Sequence, residues 1–298
     1  MKIGFSTLAC PSWDLIKIVD QAAAMGYQGV EIRGLGGELH LPLAPSLAGK
    51  PQQVRELFAE KKVELVCLGT SASLTSRDKD EVPRQKGILL EFVELASRLG
   101  CPFVRLFAGE VQKRDTSDKA FHRFVEAIKP LADGAAQRGV TLLVENGGDF
   151  RDSWSMWQLC DTVNHPAVRI CWNQVSAMGV PEQATISVPR LGTKMGLVHV
   201  GDARFDERGV LLEHTSLGEG DVGVGRQIEI LKGLGYGGYL MYEWPKLWVE
   251  GLAGPEVVLP KAAEFLKTAL AAKQPILSAY KGDKNAPKFV SAPVPAIP

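Results

Sequence analysis

The sequence predicts a (β/α)8 barrel of the α/β class with its site at the C-terminal ends of the strands. Three observations carry this reading: eight short apolar, β-branched runs alternate with amphipathic stretches, the joins from helix into strand are short and bear glycine, and those from strand into helix are long. The runs are 2–7, 29–32, 63–69, 103–108, 140–145, 168–172, 197–200 and 239–243. Helical spacing of three and four is clearest at 14–25, 86–99 and 119–138. Pro130 is expected to bend or interrupt the last of these, because it lacks an amide donor and its ring crowds the preceding turn. The short joins carry Gly26, Gly100, Gly139 and Gly235, where glycine suits the left-handed end of a helix. The long joins cover 33–50, 69–81, 145–152, 173–180 and 201–225. An open doubly wound sheet would want a glycine-rich phosphate turn after an early strand, and STLACPSWD at 6–14 is not one. The barrel is expected over 1–272. Residues 273–298 hold five prolines and no helical period, which predicts an extended tail.

Composition narrows the partners. The chain has 298 residues, 45% hydrophobic, with 34 basic and 34 acidic side chains. Zero net charge argues against a nucleic-acid partner. No apolar run approaches the ~18 residues of a membrane span. The first ten residues are interrupted by Gly4, Ser6 and Thr7 and read as a strand, not a signal segment. Five scattered cysteines without a C-x-x-C pair suit a cytoplasmic protein with buried thiols.

The chemistry collects at strand ends. The run Leu142–Leu143–Val144 stops on Glu145 and Asn146. The sixth strand delivers Asn173, the seventh His199 with Asp202 and Arg204 beyond it, and the eighth Glu243; the second delivers Glu31 and Arg33, and the fourth Arg105. In a barrel the fifth to eighth strands are neighbours, so Glu145, Asn173, His199 and Glu243 would converge on one rim. Two carboxylates and an imidazole suit one divalent ion: Mn, Mg, Co or Zn.

Three stretches resemble the xylose isomerase-like TIM-barrel superfamily of sugar isomerases and epimerases, to which endonuclease IV-like proteins are also related. They are LGEGDVGVGRQIEILKGLGYGGYLMYEW at 217–244, GLVHVGDAR at 196–204 and TLLVENGGD at 141–149, within a likeness that spans about 1–270. In members of the ketose 3-epimerase type, two glutamates, an aspartate and a histidine bind one metal, and the glutamates serve as acid and base. The resemblance therefore implies Glu145 and Glu243 as catalytic residues, and Glu145, Asn173, His199 and Glu243 as metal ligands. This chain departs from that pattern on the sixth strand. Asn173 and Ser176 stand where the family has an aspartate and a histidine, so the shell carries one anion fewer and binding should weaken. The endonuclease IV type needs more histidines than the five present in the whole chain.

The expected reaction follows from the ligand set. A metal polarises the carbonyl of a hydroxy-carbonyl compound, one glutamate removes the neighbouring proton, and the other returns it to the same or the adjacent carbon. The same enediolate can expel a leaving group, which gives dehydratase or lyase chemistry. A sugar-binding barrel without turnover is the reading that Asn173 and Ser176 favour. The substrate is expected to be a small carbohydrate, contacted by Asp202, Arg204, Arg105, Trp13 and Trp244. Trp248 is a further aromatic residue available to stack on a sugar, whereas Trp172 lies in a strand and reads as core. Arg33 and Arg105 read as supports for carboxylates. A homo-oligomer is compatible with all of this.

Overall fold

The computed structural model describes residues 1–272; the tail expected at 273–298 lies outside them. Ten strands occur among these residues. They are β1 (Lys2–Ser6), β2 (Gly29–Ile32), β3 (Glu64–Ser73), β4 (Phe103–Phe107), β5 (Thr141–Glu145), β6 (Val168–Asn173), β7 (Met195–Val200), β8 (Asp202–Phe205), β9 (Leu211–Thr215) and β10 (Tyr239–Tyr242). Eight form a closed parallel barrel in the order β1-β10-β7-β6-β5-β4-β3-β2, a TIM barrel. The other two, β8 and β9, form an antiparallel hairpin inside the long join 201–225.

Strand periodicity builds the interior in two layers. Side chains two apart share a face. Val66, Cys67, Leu143, Cys171, Leu197, Tyr239 and Met241 form a small apolar cluster, distinct from the large one that packs the helices. Two residues beyond Leu143, Cys171, Leu197 and Met241 stand Glu145, Asn173, His199 and Glu243. The apolar layer is thus a floor with the polar layer two residues further along each strand; across the strands Asn173 pairs with His199, Glu145 with Cys171 and Met241 with His199. Glycine makes room where large residues meet: a Cβ on Gly29 would lie 2.5 Å from both the Tyr239 ring and Val66.

Helices cover the outside with apolar faces such as Ile18, Val19 and Ala22, or Phe124, Ile128 and Leu131. Gly26 and Gly100 end their helices in the left-handed conformation, at φ 75° and 69°. Pro130 does not interrupt its helix, which runs unbroken over Ser117–Gln137. Pro130 is exposed, so the carbonyl it leaves without a donor lies on the solvent side and can be hydrated. All five cysteines are free and buried. No helix among the described residues is long and apolar enough to cross a membrane.

Candidate active site

His199 is the hub of the polar layer. Its side chain is fully buried, and both ring nitrogens face carboxylates. Nε2 lies 2.8 Å from Glu31 Oε2, and Nδ1 lies 3.1 Å from Glu145 Oε1 and 3.7 Å from Glu243 Oε1. Glu31 also accepts from the Ser6 hydroxyl at 3.1 Å. Glu145 Oε2 lies 2.9 Å from Arg105 Nε, an ion pair buried at both ends. The angle between them is too poor for a hydrogen bond, and Arg105 directs Nη1 to the Thr70 carbonyl at 2.6 Å instead. Gly69 clears the space for this: a Cβ there would sit 2.8 Å from Arg33 Cδ and 3.1 Å from Arg105 Nη2.

Asn173 ties the two glutamates together. Its amide nitrogen donates to Glu145 Oε1 at 2.8 Å and to Glu243 Oε2 at 2.7 Å. Its amide oxygen accepts from the Ser176 N–H at 3.0 Å, capping a short helix over Gln174–Ala177. That backbone donor fixes the amide, because a flip would leave the Ser176 N–H without its acceptor. The ligand atom expected from the sequence was the amide oxygen, yet the nitrogen faces the glutamates. Asn146 holds the strand end from below, accepting from the Asn173 N–H at 2.6 Å and donating to the Asn173 carbonyl at 3.1 Å.

These contacts push the two glutamates apart. Burial alone would raise Glu145, but Arg105 and His199 outweigh it and hold the carboxyl below its ordinary range. Burial raises Glu243, and although His199 pulls it down, the neighbouring Glu145 charge adds to the rise. Glu31 is held near 2, since its burial is overcome by His199, Arg105 and Ser6. Burial opposes charge on His199, but Cys171 and the three carboxylates raise it well above the usual imidazole value. The carboxylates do this work, because burial pushes the Cys171 thiol itself up to about 12 and leaves it neutral.

Glu145, His199 and Glu243 would be the protein ligands of a divalent ion here, although the closest donor triads are Glu31–His199–Glu243 and Glu145–Cys171–His199. With Glu31 on Nε2, the Nδ1 lone pair would point at carboxylate oxygens and be repelled unless a positive centre lay between them. A proton on Nδ1 is one such centre, and a metal held by Glu145, His199 and Glu243 is another, with Glu31 orienting the imidazole from behind. Glu31, His199 and Glu243 offer ligand atoms within 4.8 Å of one another, as do Glu145, Cys171 and His199. The inward amide nitrogen of Asn173 and the Arg105 charge both work against the ion. In Asn173→Asp, one oxygen keeps the Ser176 cap and the other replaces the inward nitrogen. Calorimetric titration with Mn²⁺ is expected to show at least tenfold tighter binding than wild type, a gain of about 1.4 kcal/mol. Equal affinity in the two proteins would show that residue 173 does not limit the site.

Several other expected contacts fall elsewhere. Asp202 is buried and organises the loop beyond β9, accepting from the N–H groups of Gly218 at 2.8 Å, Gly220 at 3.1 Å and Val222 at 3.1 Å. Arg204 lies on the exposed hairpin and pairs with Glu213 at 3.0 Å. Trp13 is core and donates to Glu256 at 3.2 Å. Trp244 is buried, donates to the Ala253 carbonyl at 3.1 Å and stacks with Tyr242. Neither tryptophan lines the chamber. Trp248 does, with Arg33 lying 5.3 Å from its ring centre. Arg105 lines the chamber but is committed to Glu145 and Thr70. Glu31 was missing from the expected ligand set, although its signal, a carboxylate inside the strand run GVEI, is of the same kind as that of Glu145.

The site opens into a chamber of about 290 Å³, lined by Arg33, Glu145, Asn173, Glu243, Phe107 and Trp248 among others. A larger groove adjoins it.

The chain belongs to the xylose isomerase-like TIM barrel family, whose model matches residues 19–269. Among solved structures it is similar to a D-allulose 3-epimerase from Methylomonas sp., at 22% identity and a TM-score of 0.71, covering 90% of this chain and 98% of that one. An L-ribulose 3-epimerase matches at 16% identity and a TM-score of 0.72, over 90% and 94% of the two chains. A protein described as a probable 3-DHS dehydratase from Bacillus anthracis matches at 16% identity and a TM-score of 0.73, over 90% and 99%. These likenesses show a shared fold. No curated protein matches the chain by sequence.

Proposed function

We propose that the protein is an isomerase or epimerase of a small sugar or sugar-like hydroxy-carbonyl compound, with Glu145 and Glu243 as its acid–base pair. The observation that carries this reading is a buried glutamate, Glu145, and a partly exposed one, Glu243, bridged by one amide at the chamber and shifted in opposite directions. A pair separated in this way provides a base and an acid at one pH. Glu145, held ionised by Arg105, takes the proton from the carbon beside the substrate carbonyl. Glu243, more readily protonated, returns one to the opposite face for epimerisation or to the adjacent carbon for isomerisation. Arg33 faces the same chamber and offers positive charge to the enediolate oxygens. A divalent ion on Glu145, His199 and Glu243 would add carbonyl polarisation.

The test is proton exchange. D-Fructose incubated with the protein and Mn²⁺ in D₂O is expected to gain deuterium at C3 if the enzyme epimerises, or at C1 if it isomerises, as followed by NMR. Exchange without product would mark a stalled enediolate, and elimination would appear as an unsaturated product. Saturable binding of the sugar without any exchange would favour the non-catalytic barrel.

A further inference from the structure

The reactive chamber is only the inner part of a longer cleft. An outer groove of about 730 Å³ adjoins it, and Ser71, Phe107 and Ser176 line both. Small-molecule sites run from roughly 300 to 1,000 Å³. The inner chamber alone lies at the bottom of that range, with room for a single sugar unit, and the outer groove is more than twice as large.

The groove is a built feature. Its outer wall joins the loops after β3 and β4. The Arg77 N–H donates to Gln112 at 2.8 Å, and the Arg77 guanidinium donates to the carbonyls of Lys113 at 3.1 Å and Arg114 at 3.2 Å. Arg123 ties the same region from the helix side, donating to the Thr75 carbonyl at 2.8 Å and pairing with Asp115. Gly109 and Gly148, both at positive φ, bring two loops into backbone contact, where a Cβ on Gly148 would collide with the Gly109 carbonyl.

The lining chemistry selects the occupant. Ser73, Ser76, Gln85 and Gln112 offer hydroxyls and amides, and Asp78, Glu81 and Glu110 offer carboxylates. Among the described residues, no lysine or arginine lines the groove. Of the nearby cations, Arg84 pairs with Glu81, Arg123 with Asp115 and Arg77 with backbone carbonyls, while Lys79 and Lys86 line a neighbouring cleft beyond Ser76 and Asp78. A phosphate would meet lining carboxylates and no lining cation among the described residues, whereas sugar hydroxyls would find both donors and acceptors. The half-buried Phe107 ring stands at the junction, suited to the C–H face of a pyranose.

We propose that the substrate is an uncharged glycoside-like sugar, at least one unit longer than a monosaccharide. Its hydroxy-carbonyl unit occupies the inner chamber and its second unit the outer groove. This rests on the proton-transfer reading above and adds a substrate class to it.

Four ketoses test the proposal by calorimetry on the Mn²⁺-loaded protein: D-fructose, D-fructose 6-phosphate, and the neutral glucosyl-fructoses maltulose and isomaltulose. At least one disaccharide is expected to bind ten times more tightly than D-fructose, with the phosphate ester no tighter than D-fructose. Gln85→Trp, which places bulk in the outer groove, is expected to erase the disaccharide's advantage. Two results overturn the proposal: neither disaccharide exceeds D-fructose, or the phosphate ester binds tightest. If D-fructose exchanges deuterium while the disaccharides gain nothing, the proton-transfer reading survives and this inference alone falls. If none of the four binds, both fall.

Discussion

Replacing Glu243 by glutamine is expected to lower kcat about a hundredfold or more at saturating Mn²⁺, with Mn²⁺ itself bound more weakly because the shell loses an anion. A positioned acid or base contributes roughly 10² to 10⁴ in rate, and glutamine can neither give nor take the proton. It does keep an oxygen where the Asn173 amide donates, so the 2.7 Å contact and the local fold have a substitute partner. The pH profile separates a chemical role from a structural one. Burial and the Glu145 charge raise Glu243, so its acid form persists to higher pH than for an ordinary carboxyl. Wild-type kcat should fall as pH rises through that raised value, and the variant should lose this limb. Retention of full kcat with an unchanged profile would remove Glu243 from the chemistry. Glu145→Gln should be as damaging to kcat, but it also frees Arg105 and is the less clean probe.

Loss of Arg105 should cost stability on the scale of a buried ion pair broken from one side. Arg105 and Glu145 are 1% and 2% exposed, so removing the guanidinium leaves a carboxylate with no water to replace it. Such losses run to about 3–5 kcal/mol. Arg105→Ala is expected to lower the urea midpoint accordingly at pH 7. The sign of the pH dependence follows from Glu145. Its carboxyl is held below the ordinary 4.5 in the folded protein, so the stabilisation is fully present above that value and is lost as pH falls through the lowered one. The gap between wild type and Arg105→Ala should therefore narrow in acid, where the variant's unpaired carboxyl can protonate. A second change, Glu145→Gln, should recover much of the loss at pH 7 by removing the stranded charge. A gap that stays constant with pH, or no recovery in the double variant, would mean that Arg105 acts by packing alone.

Much of the architecture is legible in the sequence. Period-two apolar runs ending on polar residues marked the strands and their C-terminal ends, because a strand places every second side chain on one face whatever surrounds it. That local rule is why Glu145, Asn173, His199 and Glu243 were placed on one rim, and why Gly26 and Gly100 were read as helix ends. The hairpin Asp202–Phe205 and Leu211–Thr215 carries no apolar period: Asp202 and Ala203 are both buried, while Leu211 and Leu212 are both exposed. Pro130 is expected from the sequence to bend or interrupt its helix, and no interruption occurs, because the cost of proline depends on where the freed carbonyl points, which a propensity cannot say. The tryptophans were misassigned for a similar reason: Trp13 and Trp244 are large enough for a sugar platform, but each is buried with its N–H bound to another part of the chain, whereas Trp248 faces the chamber.

By itself, the sequence determined the fold class, the heights of the polar side chains on their strands and the loss of one anion at Asn173. Tertiary structure alone decided how those side chains are used. The Ser176 N–H turns the Asn173 amide so that its nitrogen faces the glutamates, Arg105 reaches across from β4 to neutralise Glu145, and Glu31 takes the far side of His199. These outcomes come from partners on different strands and loops. Hydrogen-bond direction and charge pairing act over ~3 Å in space, and only the closed barrel brings residues 31, 105, 145, 173, 199 and 243 within that range.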